Sequence, residues 1–245
     1  MNNAIYAATT GMINQARTLD VAASNIANAE TAGYKRDQLI TSSFSERLVN
    51  RLEGQATEIG AHTHGAIVGE LVTDYTQGRL ESTARALDFA ILGEGYFSVE
   101  GPDGENAVTR DGHFEVDAEG FLRTASGGYV LGEGGRIEVG LGRVTVDQLG
   151  QVTSDGQEVD RLAIIVPGEE AAGYAKRAGN ILEPPDGGNA FTGRIAQGQL
   201  ERSNVDSIHE MSQMMAASRA FQSCAQALKA IDQINQKSVN EIGRV

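Results

Sequence analysis

The chain has 245 residues, long enough for one or two domains with an ample core. Tryptophan is absent, aromatic content is 5% and the formal net charge is −13, a poor basis for a deep aromatic pocket or a nucleic-acid surface. Residues 1–36 and 200–245 are near neutral, so the acidity lies in the middle of the chain.

In chain order, the first pattern is a seam. Ile5, Ala8, Met12, Gln15, Leu19, Ala22, Ile26 and Ala29 are spaced alternately by three and four, which predicts a helix with one narrow packing stripe. Asn25 and Asn28 lie three apart near its end, where Asn favours register over raw stability. Gly33 is read as the helix stop, with Thr31 and Gly33 turning the chain away. Asn14, Gln15, Arg17 and Asp20 break any leader-like apolar core, and no apolar run approaches the ~18 residues of a membrane span.

Residues 37–80 read as an extended connecting arm, Gly-punctuated from Glu53 to Thr73 and with Phe44 among its few apolar positions. His62 and His64 share one face of a strand, but two ligands do not make a metal site. From residue 81 to 197 the pattern is short strands and turns. Leu87–Leu92, Tyr96–Val99, Phe114–Val116, Tyr129–Leu131, Val144–Val146 and Leu162–Val166 recur between Gly- and Asp-rich turns, as in an antiparallel β domain. All four prolines, Pro102, Pro167, Pro184 and Pro185, lie within or beside this segment.

The last segment, 198–245, carries a second seam on a long helix running from Val205 to Ile242 without Pro or Gly. It passes through Met214, Ala217, Phe221, Cys224, Leu228 and Ile231, then Ile234, Ser238 and Ile242. Such a helix is roughly 50 Å long, too long to bury its stripe in a small globule without another helix in this chain or a neighbour. Cys224, the only cysteine, excludes an internal disulfide and reads as a small packing residue.

No catalytic constellation, metal set or cofactor fingerprint stands out. Asp111, Asp117 and Glu119 lack the opening of a calcium loop and read as turn formers. Gly132–Gly135 has the wrong spacing for a dinucleotide loop. The residues therefore speak for no enzyme, no cofactor and no metal. They leave open a secreted β-rich binding module with a helical oligomerisation stalk, or an enzyme acting on cell wall.

Four stretches together resemble the flagellar rod and hook family. Asn25-Ile26-Ala27-Asn28-Ala29-Glu30-Thr31-Ala32-Gly33-Tyr34-Lys35 is similar to its N-terminal signature, matching at Asn25, Ala27, Asn28, Thr31, Gly33 and Tyr34. Leu87–Phe97, Thr109-Arg110-Asp111-Gly112 and the block from Gly198 through Leu200-Glu201 and Ser203-Asn204-Val205 resemble the family's other motifs, in the right order. Within the family the single short β domain is most like the proximal rod members, then the distal ones. The chain has no room for the larger insertion of the hook members.

The resemblance implies an α+β, mainly β fold: an antiparallel β-rich central domain flanked by long terminal helices that form a coiled-coil-like tube core on assembly. It implies a motility protein of the bacterial flagellar basal body, self-assembling into the shaft between motor and hook. Its partners would be copies of itself, other rod proteins on the hook and motor-ring sides, and a type III export apparatus. It would take neither nucleic acid nor membrane insertion, and would leave the cytoplasm without a cleavable signal peptide. The assembly motif is then Asn25, Ile26, Ala27, Asn28, Thr31, Gly33 and Tyr34, and the helix packing set is Ile5, Met12, Leu19, Met214, Phe221, Leu228 and Ile231. The ends are expected to be unstructured in the isolated chain, leaving a folded unit of about residues 37–200.

Overall fold

The computed structural model describes all residues except 1, 44–46, 52–56, 63–65, 68–69, 102, 168–175, 178–179, 183–187, 190 and 243–245. Phe44, His64, Pro102, Pro184 and Pro185 therefore lie outside the described residues. The chain forms two compact units, one of residues 1–27, 37–72 and 206–245, the other of residues 28–36 and 73–205.

The first unit is built on two helices, α1 (Asn2–Ala27) and α2 (Ser207–Ile242). Asp206 caps α2, its Oδ1 accepting from the amides of Ile208 at 3.0 Å and His209 at 3.3 Å. At 1.5 Å per residue, α1 is about 39 Å long and α2 about 54 Å. The two seams face each other in one chain. A Cβ on Gly11 would lie 3.4 Å from Cys224 Sγ, and Asn25 Nδ2 donates to Glu210 Oε2 at 3.2 Å. Residue number rises on one helix as it falls on the other, so the pair is antiparallel. Continuing that register sets Asn2 opposite Gln233, so α2 runs past α1 from Ile234 onward.

The partner each seam needs is present in the same chain, one of the two places the sequence allowed, and both ends are helical and paired here. Ile234, read as part of the α2 stripe, is 61% exposed, because it lies where α2 runs past the end of α1.

The helix α1 also ends earlier than expected. It stops at Ala27, and residues 28–36 belong to the second unit rather than to the terminal helix. Gly33 is therefore a turn residue with φ +67°, not the residue that closes the helix.

The second unit is antiparallel β. The strand Tyr96–Glu100 lies at its centre, with Asn106–Thr109 on one edge and Tyr129–Gly132 and Ile164–Pro167 sharing the other. Leu122–Thr124 and Phe114–Val116 extend the sheet outward. A three-stranded meander runs through Val144–Val146, Gln151–Ser154 and Gln157–Arg161. Phe89, Phe97, Phe114, Leu122, Val130 and Val152 fill the core between them. Turns repeat one device: Asp117 Oδ1 accepts from the amides of Glu119 and Phe121, and Asp147 Oδ1 from those of Leu149 and Gln151. Both turns then close on a glycine, Gly120 or Gly150, at φ +90°. Asp117, and Asp111 whose Oδ1 accepts from the His113 amide, are turn formers as read, and Asp147 joins them.

Candidate functional site

The four signature stretches share more than sequence order. Residues 28–36, 74–82, 88–95, 109–113 and 198–205 meet inside the β-rich unit around one carboxylate, that of Glu201. Its side chain is 1% exposed. Oε1 accepts from Lys35 Nζ at 2.6 Å and from the Gly78 amide at 3.0 Å; Oε2 accepts from Arg110 Nε at 2.7 Å. Lys35 Nζ also donates to the Thr76 carbonyl at 2.8 Å. Arg110 spends its remaining donors on the loop that follows Phe89–Leu92. Nη2 reaches the carbonyls of Ile91 at 3.0 Å and Gly93 at 2.6 Å, and Nη1 that of Gly95.

The electrostatics follow from burial. Burial pushes the Glu201 carboxyl up, but the Arg110 guanidinium and Lys35 ammonium outweigh it and hold the group below its ordinary value. Burial lowers Lys35, and the bond to Glu201 recovers only part of that loss. A buried ion set of this kind adds little net stability over apolar packing, but losing one partner is costly because the others stay buried. Five separate segments meet in it, so each depends on the others for its bonds.

Backbone geometry closes the same knot. The Gly33 amide donates to the Glu201 carbonyl at 2.7 Å, and a Cβ on Gly33 would sit 2.4 Å from the Arg110 carbonyl carbon. A Cβ on Gly112 would lie 1.7 Å from the Phe89 oxygen. Asn204 ties two segments together, its Oδ1 accepting from the Arg36 amide and its Nδ2 donating to the Asp74 carbonyl, both at 2.8 Å.

The residues expected to form an assembly motif divide into three groups. Asn25 is buried in the helical unit, where Nδ2 donates to the Asp37 carbonyl at 2.8 Å and Oδ1 accepts from the Asp37 amide at 3.0 Å. Its role is to clamp the returning chain onto α1. Ile26 is half-buried and Ala27 exposed at the helix end. Asn28 and Thr31 form the turn, with the Thr31 amide donating to the Asn28 carbonyl at 3.1 Å. Gly33 and buried Tyr34 belong to the knot. Ile5, Met12 and Leu19 on α1, and Met214, Phe221, Leu228 and Ile231 on α2, are all half-buried, on the helix–helix face.

Lys35, Arg110 and Glu201 each stand inside a different signature stretch, and no spacing in the sequence joins them. The available signal was the mismatch of a charged residue within an otherwise apolar or turn-forming stretch. Among the described residues, no three His, Cys, Asp or Glu side chains converge as metal ligands, and no helix is long and apolar enough to cross a membrane.

Comparison with known proteins places these segments in register with a family. The model described as flagella basal body rod protein matches residues 5–35. The flagellar hook protein FlgE/F/G D1 domain matches residues 90–169, and the flagellar basal body rod FlgEFG protein C-terminal region matches 196–242. The chain is 30% identical over 251 residues to the flagellar basal-body rod protein FlgF of Caulobacter vibrioides, covering 100% of both chains. It is 32% identical over 269 residues to the flagellar basal-body rod protein FlgG of Bacillus subtilis, covering 98% of this chain and 99% of that one.

The chain belongs to the flagellar basal-body rod family. It is a structural rod subunit of the flagellar basal body, where it assembles with other rod proteins. In this rod protein the family signature is a three-dimensional object. Its N- and C-terminal stretches are stitched together by Glu201, Gly33 and Asn204.

Proposed function

We propose that this rod protein polymerises through the outer faces of its α1–α2 pair, with copies of itself and with other rod proteins, into the shaft that links motor to hook. The observation that carries this is what the pair leaves uncovered. Pairing buries few side chains completely, among them Ala22 and Ala217, while Tyr6, Ile13, Ile208, Met211, Met215, Ile234 and Val239 stay exposed. A helix pair with apolar residues on both sides of its seam has buried only part of what its sequence provides.

Assembly by many such contacts, each worth ~25 cal/mol per Å² of apolar area, gives a stiff tube from weakly attached subunits. The knot in the β-rich unit then transmits torque between the chain's two terminal segments without letting them part. A proximal position in the rod is the reading favoured by the single short β domain, with a distal one second.

The test is complementation. A strain lacking this gene should swim again with the wild-type chain, and purified basal bodies should contain it between the motor rings and the hook. Swimming without the chain, or basal bodies lacking it, would reject this reading.

A further inference from the structure

His113 follows the Thr109-Arg110-Asp111-Gly112 stretch, and its ring is held between a carboxylate and a guanidinium. Nδ1 lies 2.9 Å from Asp88 Oδ1, and Nε2 lies 3.0 Å from Arg85 Nη1. A guanidinium carries donors and no acceptor, so Nε2 accepts, and the ring's one proton is on Nδ1, donated to Asp88. The arrangement therefore belongs to a neutral ring. A second proton, added at Nε2, would face the guanidinium as like charge against like charge.

Burial decides which group yields. The Asp88 side chain is 1% exposed, and its Oδ2 has no hydrogen-bond partner among the described residues, so this carboxylate depends on the ring. The second acid against the ring is Asp111. Burial pushes its carboxyl above the ordinary value against the pull of the His113 amide and ring, and Asp88 adds to the rise. Both acids favour an imidazolium, and the Nδ1 bond to Asp88 is available in either charge state. Arg85, the one cation set against the ring among the described residues, is 49% exposed. Its Nε is 3.8 Å from Asp88 Oδ1, beyond hydrogen-bond distance, so nothing there outbids water for it.

Arg85 also belongs to a segment held against its own preference. Ala84 stands at φ +57°, in the left-handed region that a non-glycine residue adopts rarely. The Thr83 and Ala84 amides donate to the Gly198 carbonyl at 2.9 and 3.2 Å, and Gln197 Nε2 donates to the Ala86 carbonyl at 2.7 Å. These anchors directly precede Gln199–Glu201, the strand that carries the Glu201 carboxylate.

We propose that His113 is a proton-operated latch on residues 83–88. The neutral ring holds Arg85 and keeps the segment closed on Gly198; the imidazolium keeps Asp88, expels Arg85 and lets the segment open. The latch goes beyond the polymer reading, since it needs only a single chain. It makes the β-rich unit responsive to the acidity of its surroundings.

The test is a titration of the full chain from about pH 8 to 5, the range in which histidine side chains change charge. Nitrogen NMR follows the His113 ring and the Arg85 side chain, and hydrogen exchange follows the Thr83 and Ala84 amides. The His113 signals are assigned by their loss in His113→Gln. At the upper end the ring should show the Nδ1–H tautomer. As it gains its second proton, the Arg85 signal should move with the same midpoint. The protection of the Thr83 and Ala84 amides, corrected for the intrinsic pH dependence of exchange, should fall several-fold in the same step. In His113→Gln, which cannot take the proton, that protection should stay level, and in Asp111→Asn the step should persist.

An Nε2–H tautomer at the upper end would overturn the proposal. So would a ring that takes no second proton across the range, or one that takes it while Arg85 and the two amides stay unchanged. A step that survives in His113→Gln, or vanishes in Asp111→Asn, would pass the acid response to the carboxyl and remove the latch. Should His113→Gln fail to fold, the wild-type titration and Asp111→Asn still decide between ring and carboxyl.

Discussion

Removing the Glu201 carboxylate is the sharpest perturbation of the β-rich unit. In Glu201→Ala, Lys35 Nζ and Arg110 Nε lose bonds of 2.6 and 2.7 Å, and the Gly78 amide loses its acceptor. Both cations are about 4% exposed at the side chain, so water cannot replace the carboxylate. Breaking a buried ion set in this way costs about 3–5 kcal/mol. In a unit of this size each kcal/mol moves Tm by about 2–4 °C, so the shift should be roughly 6–20 °C downward. The assay is near-UV circular dichroism of the full chain, because Tyr34, Tyr75, Tyr96 and Tyr129 lie in this unit and the chain has no tryptophan. Lys35→Met, which keeps the Arg110–Glu201 pair, should cost less than Glu201→Ala. The comparison is Glu81→Ala, which breaks the Arg202–Glu81 bond of 2.6 Å between two half-exposed side chains and should barely move Tm. If Glu201→Ala melts within a degree or two of Glu81→Ala, the knot is not what holds these segments.

Further outcomes can be checked in the same way. The Glu201 carboxyl is held below its ordinary value, so the folded unit binds fewer protons than the unfolded chain, and its contribution is present above about pH 4.5 and lost as pH falls through the lowered value. The Tm gap between wild type and Glu201→Gln should therefore be constant from pH 7 to 5 and shrink below 4.5; a gap that widens in acid would contradict this. Gly11→Cys should form an internal disulfide with Cys224 in dilute solution, since the added Cβ would lie 3.4 Å from that sulfur; only intermolecular dimers would show that the seams pair between chains. Gly33→Val meets both φ +67° and a carbonyl carbon 2.4 Å away, so it should lower Tm of the β-rich unit and stop swimming, whereas normal swimming would remove Gly33 from the knot. Phe221→Ala with Leu228→Ala should weaken the helix pair and rod assembly by about 1–3 kcal/mol per half-buried site while the β-rich melt is unchanged.

Limited proteolysis separates the expected boundaries from the observed ones. A folded unit of residues 37–200 would cut Lys35 and Glu201 away from Arg110. The structure instead keeps residues 28–36 in the β-rich unit. A fragment carrying Lys35 should stay bound to the 73–205 body after cleavage in between.

What could be read from the residues were the local periodicities. The three-four spacing from Ile5 to Ile26 and from Met214 to Ile231 states a helix and its packing face, because side-chain direction on a helix depends only on residue number. The turns at Asp111 and Asp117 were equally legible, since an aspartate bonds the amides just beyond it.

Pairings between distant segments carry no such local mark. Nothing in the spacing says that the first seam meets the second in antiparallel register, that α2 outruns α1 so that Ile234 stays exposed, or that Glu201 answers both Lys35 and Arg110. Those outcomes depend on which surfaces can close on one another without orphaning a buried charge. That is a property of the whole arrangement, so it appears only when the chain is folded.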